Sequence, residues 1–208
     1  MRAYRRPPKD LPARRSASQR IITAARRHYL SHGFRGVTMD DLVAELGMSK
    51  KTVYACFTSK AALVKAVLLD KFDEIEADLR RITSDSTDVQ ASLHRLLACV
   101  QRHTEEIQPP FVRDIQREAP ELFQLVERRR REIIRRHFGK LFEQGRRTGI
   151  IRKDIPTPLI IEILLGATHA ILNPPKMAEL NLTPKTGFTA IIAVILQGAL
   201  TNAGRSIR

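Results

Sequence analysis

From Ser18 onward the apolar positions of this chain recur every three or four residues, the spacing of helices that bury one face. Ile21, Ile22, Ala25, Tyr29 and Leu30 form the first stripe, between Arg20, Arg26 and Arg27, and Gly33 reads as its C-cap. Thr38-Met-Asp-Asp41 then reads as a capping box, a hydroxyl followed three residues on by an acid. The short helix it starts turns Leu42, Val43 and Leu46 inward and stops at Gly47. Ser49 caps a second short helix over about 50–57, with Val53 and Phe57 on its inner face. Ser59 caps a long helix over about 60–82, striped by Leu63, Val64, Val67, Leu68, Phe72, Ile75 and Leu79.

The helical period continues past a polar break at 83–88. A helix over about 89–107 carries Leu93, Leu96, Leu97 and Val100, and Pro109-Pro110 separates it from a short helix over about 111–118. Pro120 fits the first position of a long helix reaching about Gln144. Thr157-Pro158 and Thr183-Pro184 repeat one start signal, threonine as N-cap and proline at N1, for helices reaching about Leu172 and Leu200. The stretch between those two reads as a polar, proline-rich loop. No strand-period run appears. The expectation is an all-α fold of about nine helices: a flexible basic arm over 1–15, a three-helix domain over 16–60 and a larger helical domain over 61–208.

Two short helices joined by a tight glycine turn behind a supporting helix have the form of a helix-turn-helix. In such a unit the second short helix buries one face and offers polar donors on the other. Lys50, Lys51, Thr52 and Tyr54 supply the donors. Spacing alone leaves open an ordinary three-helix core with a charged surface. Charge sharpens the choice. Of a net +14, residues 1–60 hold 13 Lys/Arg against four acids, a surplus of nine, which suits a polyanionic partner. Arg2, Arg5, Arg6, Arg14 and Arg15 of the arm either enter a minor groove or stay a solvated tail.

Other classes find no support. Cys56 and Cys99 form no CxxC pair, so neither a disulfide framework nor a zinc site is indicated, and a reducing cytoplasm fits. No HExxH, phosphate loop or GxSxG motif is present, and no cofactor, metal or catalytic residue is expected. The apolar runs 159–172 and 188–200 fall short of the roughly 20 residues of a membrane span and read as buried helices.

The order Arg20-Ile-Ile-Thr-Ala-Ala, Gly33-Phe34, Thr38-Met, Leu42-Val-Ala-Glu-Leu-Gly47-Met-Ser49-Lys50-Lys51-Thr52-Val53-Tyr54, Phe57, Ser59-Lys60 and Leu63 resembles the DNA-binding domain of the TetR (tetracycline-repressor-like) family. The resemblance covers about residues 18–65. It implies a homodimeric transcription regulator on a palindromic double-stranded operator, most simply a repressor released by a small molecule; sequence does not separate repressor from activator. It implies phosphate contacts from Thr38 and Lys60, a recognition helix opening at Lys50, Lys51 and Thr52, and a Tyr54 hydroxyl reaching backbone or base edge. Ala55, Cys56 and Ala61 stand where the family more often has an aromatic, a histidine and an acid.

The last two helices are apolar nearly all round, which points either to a partner copy or to a central place in a monomer core. The resemblance implies the first, a four-helix dimer interface; Ile161, Leu164, Leu165, Ile191 and Ile195 are the candidates. The stripes of the middle helices are interrupted by polar residues at inward positions, His103 or Thr104 and Arg129 or Arg130. These are either the few polar groups of a pocket for a lipophilic or aromatic effector, or satisfied core and snorkelling residues.

Overall fold

A computed structural model describes residues 11–84 and 88–199. Among these the chain is helix and connection, without a strand. α1 spans Leu11–His32, α2 Met39–Leu46, α3 Lys50–Cys56, α4 Lys60–Ser84, α5 Val89–Glu105 and α6 Pro109–Glu118. α7 (Pro120–Ile133) runs through a π-helical turn at Ile134–Phe138 into α8 (Gly139–Arg147). α9 (Thr157–Ile171), α10 (Pro174–Glu179) and α11 (Pro184–Ala199) complete the chain.

The local signals act as their chemistry dictates. Thr38 Oγ1 accepts from the Asp41 amide at 3.1 Å, and the Asp41 carboxylate accepts from the Thr38 amide at 2.7 Å. These bonds hold the Asp41 carboxyl below its usual range. Ser49 and Ser59 accept from the Thr52 and Ala62 amides, each at 3.1 Å. Gly47 stands at φ 59°, where a side chain is strained.

The differences have physical causes. α1 begins at Leu11, so 11–15 are helical where an arm was expected; Pro12 is tolerated because first-turn amides lack intrahelical partners anyway. Arg2, Arg5 and Arg6 lie outside the described residues. The stretch read as a loop before α11 holds α10, capped by Asn173 Oδ1 accepting from the Lys176 amide at 3.1 Å. Thr157 does not cap α9: Pro156 is its N-cap, and the Thr157 hydroxyl is buried without a partner.

The π turn also has a reason in sequence. Inward residues come in pairs four apart: Ile133/Ile134, His137/Phe138 and Leu141/Phe142. In an α-helix a four-residue repeat drifts by about 40° each time. A turn holding an extra residue cancels that drift and keeps all three pairs against the core.

Two cores share α4. Leu63, Val64, Val67 and Leu68 pack with α1–α3, Phe111, Ile115 and Leu122; Phe72 and Leu79 pack with α5, α8, α9 and α11. The boundary read at residue 60 is therefore a helix start, with α6 and α4 as far as Leu68 in the N-terminal core. Gly33 makes that join possible. At φ 84° it ends α1, and a Cβ there would stand 2.4 Å from Asp114 Oδ2 on α6. Asp114 also accepts from the Arg35 amide at 2.9 Å.

Gly33→Ala is expected to destabilise the chain by about 1–3 kcal/mol, from the left-handed backbone and the lost approach together. A lower urea midpoint at unchanged slope checks this.

Candidate functional site

α2 and α3 lie against α1, and the structure places the predicted donors outward. Lys50, Lys51, Thr52 and Thr38 are exposed, and Tyr54 is 44% exposed while Val53 beside it is fully buried. α3 thus divides as a reading helix must, with Val53 and Phe57 inward and a polar face free to meet a groove. Not all donors are equally available. Lys50 Nζ pairs with Asp40 at 2.7 Å, and Thr52 Oγ1 shares a hydrogen bond with Ser49 Oγ at 2.9 Å. Lys60 turns back to donate to the Arg35 carbonyl at 3.0 Å, over the Phe34 ring, and burial lowers its pKa. Its expected phosphate contact requires that bond to open.

Behind this unit lies a polar cluster that the sequence reading missed. Lys71 of α4 is 3% exposed, and its ammonium donates to Glu106 at 2.7 Å and to His103 Nδ1 at 2.9 Å. His103 Nε2 faces Asp78 Oδ2 at 3.0 Å, which places the ring proton on Nε2. Glu106 also receives Arg26 of α1 at 2.8 Å, and Arg26 reaches Glu74 and Asp70 of α4. Burial lowers the Lys71 pKa despite Glu106. Burial opposes charge on Glu106 and Arg26 as well, but hydrogen bonds from Lys71 and Arg26 hold the Glu106 pKa low, and those to Glu106 and Glu74 hold the Arg26 pKa high. Helical spacing puts Arg26 on the α1 flank, yet nothing in the sequence pairs it with residues 44 and 80 positions away.

The same cluster contains a candidate cation set. Cys99 and His103 are one turn apart on α5 with Asp78 opposite, their ligand atoms within 4.8 Å of one another. Arg102 already holds Asp78 at 2.5 Å and the Lys71 ammonium abuts His103, so an added metal would face two resident cations. No metal is assigned.

Beside the cluster, α1, α4–α7, α10 and α11 enclose a cavity of about 180 Å³. Phe72, Phe111, Phe123, Phe138 and Phe188 line it, and the π turn supplies Ile134 as well as Phe138. Of the predicted pocket residues, His103, Thr104 and Arg130 are in the wall. Arg129 is outside it, stacked on Phe72 and paired with Glu132 at 3.2 Å.

The predicted interface residues require correction. Ile161, Leu164, Leu165 and Ile191 are buried in the protomer's own core, and Ile195 is half-buried against it. The outward apolar residues of α9 and α11 are Leu159 (52% exposed), Ile163 (50%) and Val194 (73%), with Gly166, Ala170, Ala190 and Ala193 around them. The signal was present: the outward row keeps its own spacing of three and four. Among the described residues no single helix is long and apolar enough to cross a membrane.

Residues 21–67 match the family model described as bacterial regulatory proteins, tetR family. A helix-turn-helix transcriptional repressor of Streptomyces coelicolor is 26% identical over 164 residues, covering 77% of this chain and 81% of that protein. The repressor DhaR of a Mycobacterium species is 23% identical over 188 residues, covering 86% and 92%. Among solved structures, a tetR-family regulator from Agrobacterium tumefaciens superposes at TM-score 0.66 with 15% identity, over 90% of this chain and all of that one. SmeT, a repressor of a multidrug efflux pump in Stenotrophomonas maltophilia, superposes in its triclosan complex at 0.65 with 16% identity, over 91% and 94%. These last two likenesses are of fold.

Two outcomes follow from this geometry. Lys51→Ala should weaken binding to every duplex alike and lower the slope of log affinity against log salt by about 1, whereas Tyr54→Phe should narrow the gap between preferred and random DNA. Fluorescence anisotropy across a salt series measures both. Stability should fall with acid. Burial first, then the Lys71 ammonium, lowers the His103 pKa, and burial lowers that of His137, which lies against Thr83 with Glu76 and Arg136 nearby. The unfolded chain therefore takes up these protons first, from about pH 6.5 downward. The urea midpoint should drop from pH 7 to 5.5, and a His103→Gln, His137→Gln double variant should lose much of that dependence.

Proposed function

We propose that this chain, a DNA-binding transcription regulator of the tetR family, works as a homodimeric repressor that leaves a palindromic operator when a lipophilic small molecule fills the interior cavity. The observation that carries this is the position of the cavity. Its wall includes Leu30 of α1, Leu68, Lys71 and Phe72 of α4, and Phe111 of α6, so one occupant touches the supporting helix of the reading unit and the helix shared by both cores. Two seams run from that wall toward DNA. One is polar, Lys71 to Glu106 to Arg26. The other is aromatic: Phe111 meets Phe34 edge-on at 6.3 Å, and Phe34 meets Tyr29 at 6.2 Å. An occupant that prefers one pose of these seams over another by roughly 1–3 kcal/mol changes operator affinity about 5- to 150-fold.

Dimerisation accounts for the outward apolar row of α9 and α11, and a two-fold pair of reading helices matches a palindrome. The names of the similar repressors and the triclosan complex of SmeT support repression and an apolar effector.

Selection of bound genomic fragments, followed by anisotropy, tests the assignment. Operator should exceed random DNA by about 10³-fold or more, and equal affinity for both would overturn specific regulation. Ile163→Asp with Val194→Asp should yield monomers in sedimentation velocity and cut operator affinity at least about tenfold.

A further inference from the structure

We infer that the cavity takes an uncharged ligand of one or two aromatic rings and turns away both anions and cations. This rests on the cavity being the effector site. The wall holds no Asp or Glu, so a cationic ligand would find no counter-charge and would meet Lys71 and Arg130 instead. Those two cations already face protein partners, so an anion would have to compete for them. Lys71 is held by Glu106 and His103. The Arg130 guanidinium lies against Glu127 and faces the Thr168 carbonyl at 3.5 Å, and burial lowers its pKa to about 10. The remaining polar wall residues are satisfied too: Thr104 Oγ1 donates to the Val100 carbonyl at 2.9 Å, and His103 Nε2 faces Asp78. A carboxylate entering this space would have to break a buried ion pair and strand its acid, or remain without a donor.

What the cavity does offer is ring surface. Five of the chain's eight phenylalanines line it, and Phe138 and Phe188 meet edge-on at 6.3 Å. A volume of about 180 Å³ is slightly above the roughly 150 Å³ of an apolar cavity that accepts benzene. Flat apolar ligands therefore gain contact without needing a polar anchor.

Three probes of one shape separate the cases: 2-acetylnaphthalene, 2-naphthoate and 2-naphthyltrimethylammonium, titrated calorimetrically into the full chain. The neutral ketone should bind at least about tenfold tighter than either ion. Glu127→Gln, which frees the Arg130 guanidinium, should raise naphthoate affinity and leave the ketone unchanged. Val126→Trp should abolish ketone binding by filling the space, with a retained melting transition confirming the fold. Naphthoate binding as tightly as the ketone would overturn the exclusion of anions, and an unresponsive Glu127→Gln variant would overturn its assignment to the Arg130–Glu127 pair. Preference for the ammonium would show a phenylalanine cage for cations and overturn it from the other side. Those results leave the effector site standing. Ketone binding that survives Val126→Trp, or no binding by any probe, would remove the site itself and the inference with it.

Discussion

A lysine ammonium shut away from water governs the middle of this molecule. Burying an ion costs several kcal/mol unless its partners are well placed, and Lys71 is nearly inaccessible. Its partners come from separate segments: His103 from α5, Glu106 from the turn after it, and through Glu106 also Arg26 from α1. The register of α1, α4 and α5 is therefore set by charge as well as by apolar packing. Sliding one helix by a residue would leave Lys71 or Glu106 without a partner, so the cluster penalises small shifts of register.

That stiffness gives the cavity its leverage. The supporting helix of the reading unit is tied on one side by Arg26 and on the other by Tyr29 and Phe34 against Phe111. Its C-terminus is fixed further by the Leu30 carbonyl, which accepts from the Gln108 amide at 2.9 Å, and by Gly33 against Asp114. The reading unit is thus joined to the cavity wall at several points. Packed interfaces of this kind switch between arrangements more readily than they deform, and the release from the operator proposed above would use that property.

Local physics was legible in the sequence and long-range pairing was not. Capping box, serine caps, glycine stops and helical stripes each lie within a few residues, and α2, α3 and the outward placement of Lys50 to Tyr54 followed from them. The π turn was hidden because a four-residue repeat of paired apolar positions resembles an ordinary stripe unless its drift is counted. The charge cluster was hidden because Arg26 reads as one flank residue among several, and only folding brings it to Glu106. His103, Thr104 and Arg130 were found at inward positions, yet their partners decide their meaning. With Asp78, Val100 and Glu127 in place they close the wall, where the sequence alone left them as possible anchors for a ligand.

The correction at α9 and α11 follows from the same distinction. Both helices carry apolar residues around most of their circumference, so the sequence gives two faces without saying which one turns outward. Ile161, Leu164, Leu165 and Ile191 fall on the face that the protomer's own core takes. The outward row pairs three large residues, Leu159, Ile163 and Val194, with small ones, Gly166, Ala170, Ala190 and Ala193. Small residues let helices approach closely, and large ones fill the holes beside them. That alternation supports the two-fold pairing proposed above, in which each large residue would meet small positions of the other protomer. α9 and α11 lie side by side over 15 and 16 residues, so the alternation runs along one outward face.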